Sequence, residues 1–202
     1  MKAGFLATAV LLTLVTAGLL ITAQQGRESE GRPIAKTAGL PATQIAALQV
    51  DFKNRIDHYL EIRKEAAKGA PALKETKDPG KIKVAEDSLA ARIQTLRANA
   101  QPGEIFTPAI QKTIRQLLSP ELKGDEGKDT KDILKDDAPK SVPLKINTKY
   151  PEHAPLPTVP SNLLLSLPHL PEELEYRIVG KHLILRDTGA DLIVDFMTDA
   201  IK

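Results

Sequence analysis

The sharpest local pattern in this sequence is Asp187-Thr188-Gly189-Ala190, preceded by the apolar run Leu183-Ile184-Leu185. Aspartic proteases set a catalytic carboxylate in such a loop, where Thr and Gly hold two carboxylates close enough to share one proton. Only residues 188–202 follow Asp187, too few for the flap and later strands such a site needs, and Arg186 stands where an apolar residue is usual. The expected reading is a hairpin turn opened by Asp187, with Gly189 at the positive-φ position. Asp191, Asp195 and Asp199 recur every four residues. On one strand face they would sit ~13 Å apart, too far to share a hard cation, so a solvent-facing row is expected. His58 and Glu61 are three apart, beside Asp57, and could offer two metal ligands from one helix. His58 lies about 200° around the helix from Ile56, so it is expected to face water. His153, His169 and His182 are isolated, and no His-x-x-x-His or His-Glu-x-x-His pattern is present. An enzyme on the acidic strand face would need a cleft that gathers Asp187 or Asp191 with His182. Glu172-Glu173 after Pro171 suits an acidic first turn or a strand entry.

No Gly-rich phosphate loop and no G-x-S-x-G nucleophile elbow occurs, so the sequence offers no assembled catalytic residues, no metal ligand set and no cofactor site. The chain has no Cys, which excludes disulfides, thiolate metal sites and thiol nucleophiles. With 28 Lys and Arg against 26 Asp and Glu, and aromatic residues at 3%, it lacks the basic, stacking surface of a nucleic-acid binder.

The elements that would position these residues divide the chain into a helical part and a proline-rich part. From Pro41, Ile45, Leu48, Phe52, Ile56 and Tyr59 recur at three and four residues, which predicts a helix capped by Thr43 and ending near Lys68. Its other face is charged, with spaced pairs such as Asp51–Arg55 and Glu65–Lys68 worth only ~0.2–0.5 kcal/mol each. Residues 69–80 read as a connector with a turn at Asp78-Pro79-Gly80. A second helix is expected from about Lys81 to Ala100, with Ile82, Ala85, Leu89, Ile93, Leu96 and Ala100 inward. Two single-stripe helices bury their faces most simply as an antiparallel hairpin of coiled-coil type. Thr107 and Pro108 open a third helix, with Ile110, Ile114, Leu117 and Leu118 inward, and Ser119-Pro120 closes it. Residues 121–141 form a charged linker or a weak short helix.

Eight of the fifteen prolines fall within residues 139–171, which excludes long helices there. VPLKINTKY suits an edge strand and PSNLLLSL a short helical turn, in a run that wraps the domain. LEYRIV, HLILRD and ADLIVDFM predict a three-stranded antiparallel meander, with a type II′ turn at Gly180-Lys181. Tyr176/Ile178, Leu183/Leu185 and Leu192/Val194/Phe196 are expected on like faces of their strands, and Val179, Ile184 and Ile193 on the opposite side. The fold class is therefore α+β.

Met1-Lys2 and the uncharged run Ala3–Ala23 form a secretory signal, cut after Ala23, or an uncleaved anchor of spanning length. Residues 24–40 are a flexible lead-in, 41–120 a helical region, 121–141 a linker, and 142–202 a proline-rich segment and meander forming one domain with 41–120. GEIFTPAI at 103–110 and the segment from Ala154 to Phe196 resemble a group of uncharacterised secreted proteins from environmental bacteria. That resemblance implies export and a single architecture, and no activity. The expectation is a secreted or periplasmic, non-enzymatic protein with an envelope protein as partner, and membrane contact only through an uncleaved segment 3–23. The alternative is a small-ligand binder with a pocket between the meander and the leucines at 163–167.

Overall fold

A computed structural model describes residues 40–71, 77–136 and 142–202, all within one compact unit. The signal or anchor and nearly all of the lead-in lie outside the described residues. The architecture is α+β, with five helices and one three-stranded antiparallel sheet among the described residues.

The apolar stripe on the first helix forms α1, Ala42–Ala67, and buries Leu48, Phe52, Ile56, Tyr59 and Ala66. Its start corrects the expected cap. Pro41 holds the N-cap position with an extended ψ of 138°, and its carbonyl accepts from Gln44 N (2.9 Å) and Ile45 N (3.2 Å). Thr43 therefore lies inside the first turn. The second helix, α2, runs Pro79–Leu96, earlier at both ends than expected. Asp78 is its cap, accepting from Gly80 N (3.0 Å), with Pro79 at N1, so the turn signal was a helix start. At the other end Arg97 leaves helical geometry at φ −110°. The inward stripe thus stops at Ile93, and Leu96, expected inside, is 49% exposed.

The two helices run in opposite directions where they meet. Arg92 donates to Ala66 O at 2.7 Å, while Arg97 lies over the ring of Tyr59, 5.1 Å from its centroid. Gly69 leaves the space that the Arg92 guanidinium occupies. The first half of α1 packs elsewhere: Phe52 stacks on Phe106 (6.2 Å) and Tyr176 (6.5 Å), and Gln44 donates to Thr113 and Gln116. These last two lie on α3, Pro108–Leu118, which is capped by Thr107 and buries Ile110, Ile114, Leu117 and Leu118 as its spacing requires.

Residues Gly124–Asp136, expected to be a linker or a weak short helix, form α4, a 13-residue helix. It buries Gly127, Thr130 and Leu134 and leaves Ile133 exposed. Gly127 presses so closely on the backbone of Leu122, in the 3-10 turn Pro120–Leu122, that no Cβ fits there. The leucine-rich turn is α5, Ser161–Ser166.

The meander is β1 (Leu174–Val179), β2 (His182–Asp187) and β3 (Leu192–Met197), in that spatial order. Gly180 takes φ +61° in the two-residue turn between β1 and β2. Both sheet faces are covered. Leu174, Tyr176, Ile178, Leu183, Leu185, Leu192, Val194 and Met197 join the helix-side core. Val179, Ile184 and Ile193 join a second core with Tyr150, against which Val142, Leu144, Ala154, Leu156 and Phe196 pack. The proline-rich run therefore covers the face the helices leave open. Phe196 was expected beside Val194 but lies on the opposite face. A bulge in β3 explains this: Leu185 pairs with Asp195, and Arg186 pairs with Ile193, so Val194 is the extra residue. The expected edge strand at VPLKINTKY is a single bridge, Lys149 to Leu192. Asn147 N and Tyr150 N reach the outer edge of β3, at Ile193 O (2.8 Å) and Asp191 O (3.1 Å).

Candidate functional site

The residues with chemical potential fall into three places: two buried carboxylates, a buried arginine, and the surface recesses around them. Asp187 ends β2 and is fully buried. Its Oδ1 accepts from Gly189 N (2.9 Å) and Ala190 N (2.8 Å), which makes the tight turn. Its Oδ2 accepts from Tyr59 OH (2.8 Å) and Arg63 Nε (2.7 Å) on α1. All four contacts are internal, so the carboxylate anchors α1 to the hairpin. Burial pushes the Tyr59 phenol well above its ordinary value, and the Asp187 charge pushes it further. The turn reading of Asp187-Thr188-Gly189-Ala190 therefore holds, with one correction. The left-handed residue is Asp191, at φ +53°, not Gly189, because the loop from β2 to β3 has four residues and turns at its end.

The row Asp191, Asp195, Asp199 is not a solvent face. The bulge at Val194 puts Asp195 on the helix side, where it is fully buried. Its Oδ2 accepts from Ile105 N and Phe106 N, both at 2.8 Å, and its Oδ1 from Gly103 N (2.9 Å) and Phe196 N (2.8 Å). The loop that follows α2 wraps this carboxylate as a ring of amides would wrap a bound anion. Gly103, at φ +88°, supplies the bend. Asp191 is instead held by Arg186, through Nε (2.8 Å) and Nη2 (2.6 Å), and Asp199 is exposed.

Arg97 was not singled out by spacing arguments, although it continues the 89, 93 stripe by four more residues. It is buried, and its guanidinium donates to Asn147 Oδ1 (2.9 Å), Glu104 Oε2 (3.1 Å) and Val194 O (3.2 Å). Asn147, at φ +55°, donates back to Arg97 O at 2.7 Å. A cation at a stripe position was the available signal.

His58, Asp57 and Glu61 are exposed on α1, as are His153 and His169 elsewhere, and Glu172. His182 is half-buried and its Nδ1 accepts from Asp199 N at 3.4 Å. It begins β2 and Asp187 ends it, so the two lie ~16 Å apart and share no substrate position. Among the described residues, no three His, Asp or Glu groups gather around a possible metal position.

Two recesses open near this framework. One, of about 650 Å³, lies between α1 and the end of α2, with Asp51, Arg55, His58 and Glu104 on its walls. Its carboxylates already pair: Asp51 accepts from Arg55 (2.9 Å) and Glu104 Oε2 from Arg97 (3.1 Å). The other, of about 540 Å³, lies between α5 with its trailing segment and β1. Leu164, Leu165, Leu167 and Leu170 form one side, and Leu174 and Tyr176 the other, with His169 and Arg177 at its polar positions. Leu164 and Leu165 are 49% and 45% exposed. Burial alone would raise Glu175 beside this cleft, but bonds from Arg177 and Arg186 outweigh it and hold the carboxyl below its ordinary value. No helix among the described residues is long and apolar enough to cross a membrane. Comparison with family models, with curated proteins and with solved structures returns no match.

Proposed function

We propose that this protein is an exported, non-enzymatic binding protein that holds a small, mainly apolar ligand in the cleft between α5 and β1. The observation that carries this reading is the adjacent pair Leu164 and Leu165, both about half exposed on the wall of a recess of about 540 Å³. A cleft of that size, mostly apolar with a few polar groups, has the usual form of a small-molecule site. The buried carboxylates support the same reading, since each spends its acceptors on internal donors and anchors a helix or loop. Export rests on the charge pattern of residues 1–23, and an envelope protein is the partner to which such a carrier would deliver. A panel of small hydrophobic metabolites titrated into isotope-labelled protein tests the cleft. The expected result is saturable amide shifts at Leu164, Leu165 and Tyr176 with one chemical class, lost in Leu165→Asp. Shifts confined to the recess beside His58, or none at all, would refute the assignment.

A further inference from the structure

We infer that a second recess, distinct from the α5–β1 cleft, binds a single-chain amphiphile with an anionic head, in the chemical class of a long-chain carboxylate. This recess has a volume of about 350 Å³ and is enclosed by α4, the β1–β2 turn and the last residues of the chain. Its floor is Leu134 and Ile201, both buried to within a few per cent. Its rim is Lys131 and Lys135 of α4, Lys181 of the turn, and Lys202, with no carboxylate side chain among the described residues that line it. Three separate parts of the chain thus bring ammonium groups to one apolar recess.

The convergence is built in. On α4, Lys128, Lys131 and Lys135 fall on one stripe next to buried Leu134, and Asp125, Asp129, Asp132 and Asp136 fall on the neighbouring stripe, on the side away from Leu134. The turn is fixed against residues 200 and 201, because Lys181 O accepts from Ala200 N (2.8 Å) and Ile201 N (3.2 Å). Lys135 is paired to Asp132 at 2.9 Å, but Lys131, Lys181 and Lys202 have no ion-pair partner among the described residues. Unpaired ammonium groups around an apolar floor complement a ligand with an anionic end and a hydrocarbon body. The modest volume fits one alkyl chain, and the acidic stripe that borders these lysines on α4 argues against flat docking on an anionic membrane.

The test is titration of the full, isotope-labelled chain with sodium dodecanoate in low salt, below its micelle threshold. Amide shifts at Gly180, Lys181 and Ile201 are the readout. Saturable binding is expected in the wild type and in Leu165→Asp, which alters only the other cleft. Affinity should be about tenfold weaker or worse in Lys131→Glu/Lys181→Glu, with Lys131→Ala/Lys181→Ala between the two, as fits the loss of charge-assisted contacts. Dodecyltrimethylammonium should leave these amides unmoved. Absence of dodecanoate shifts, or equal affinity in the wild type and both lysine variants, would overturn the inference. So would binding lost in Leu165→Asp but kept in the lysine variants. Sedimentation with phosphatidylglycerol vesicles without any response to dodecanoate would also overturn it, by assigning the lysines to a membrane surface.

Discussion

Asp195 is surrounded by backbone amides rather than by a cation, and this decides what a substitution there does. Four N–H groups, from Gly103, Ile105, Phe106 and Phe196, converge on its two oxygens within 2.9 Å. Asn keeps the shape but turns an NH2 group toward donors, leaving at least two buried amides without acceptors. Each such loss costs ~1–3 kcal/mol, so Asp195→Asn should destabilise the fold by about 3 kcal/mol. Urea unfolding would show this as a lowered midpoint at unchanged slope. A change within about 0.5 kcal/mol, the usual range for an exposed position, would return Asp195 to the solvent. Strand period alone could not reveal this role. An uninterrupted two-residue alternation places Asp191, Asp195 and Asp199 alike, and only the bulge at Val194 separates them. Asp187 was legible as a turn residue because its local bonds to Gly189 and Ala190 follow from sequence order. Its bonds to Tyr59 and Arg63, more than 120 residues away, follow from tertiary packing alone.

At the scale of elements, periodic apolar residues located α1, α3 and all three strands, since each buries one face at its own period. The misreadings arose where burial is carried by something other than an apolar side chain. In α4 the buried positions are Gly127, Thr130 and Leu134, a stripe of which only one residue is hydrophobic. Close approach replaces bulk: with no Cβ, Gly127 lets α4 rest against the backbone of Leu122. Gly127→Ala would favour an isolated helix by up to ~1 kcal/mol, because Ala has the higher helix propensity. Here it must push two backbones apart, an overpacking cost of about 1–3 kcal/mol. The net expectation is a lower melting temperature, with amide exchange accelerated at Leu122 and across α4 and unchanged in β2. A stabilised variant would mean that the 3-10 turn yields freely. The end of α2 follows the same logic. Arg97 occupies the inward position because Glu104, Asn147 and Val194 O satisfy its donors, so an apolar-stripe count passes over it, takes exposed Leu96 as inward and runs beyond the true helix end to Ala100.

At the scale of the molecule, the helices meet the β2–β3 hairpin through polar anchors as well as apolar area. Tyr59 and Arg63 tie α1 to Asp187, Arg97 ties the end of α2 to Val194, and the loop after α2 closes on Asp195. With no cysteine in the chain, nothing covalent backs up this framework, so conditions that ionise a buried member should be felt globally. The phenols supply the case. Burial pushes both Tyr59 and Tyr176 well above the ordinary tyrosine value, and the Asp187 charge adds to it at Tyr59. In the unfolded chain both ionise near pH 10. The folded state therefore holds these protons where the unfolded state has released them. Their contribution is fully present below about pH 10 and is lost as pH rises toward the folded values, at about 1.4 kcal/mol per pH unit for each phenol. The melting temperature should thus be flat in this respect up to about pH 9 and fall steeply above it. Tyr176→Phe separates the phenol from the ring: it removes the 3.1 Å bond to Pro168 O but keeps the stacking surface against Phe52. That variant should start less stable at pH 7, by about 1 kcal/mol for a lost buried bond, and decline less steeply between pH 9 and 11. Parallel decline in the two proteins would show that Tyr176 ionises freely in the fold, and hence that the β1 side of the core is open to water.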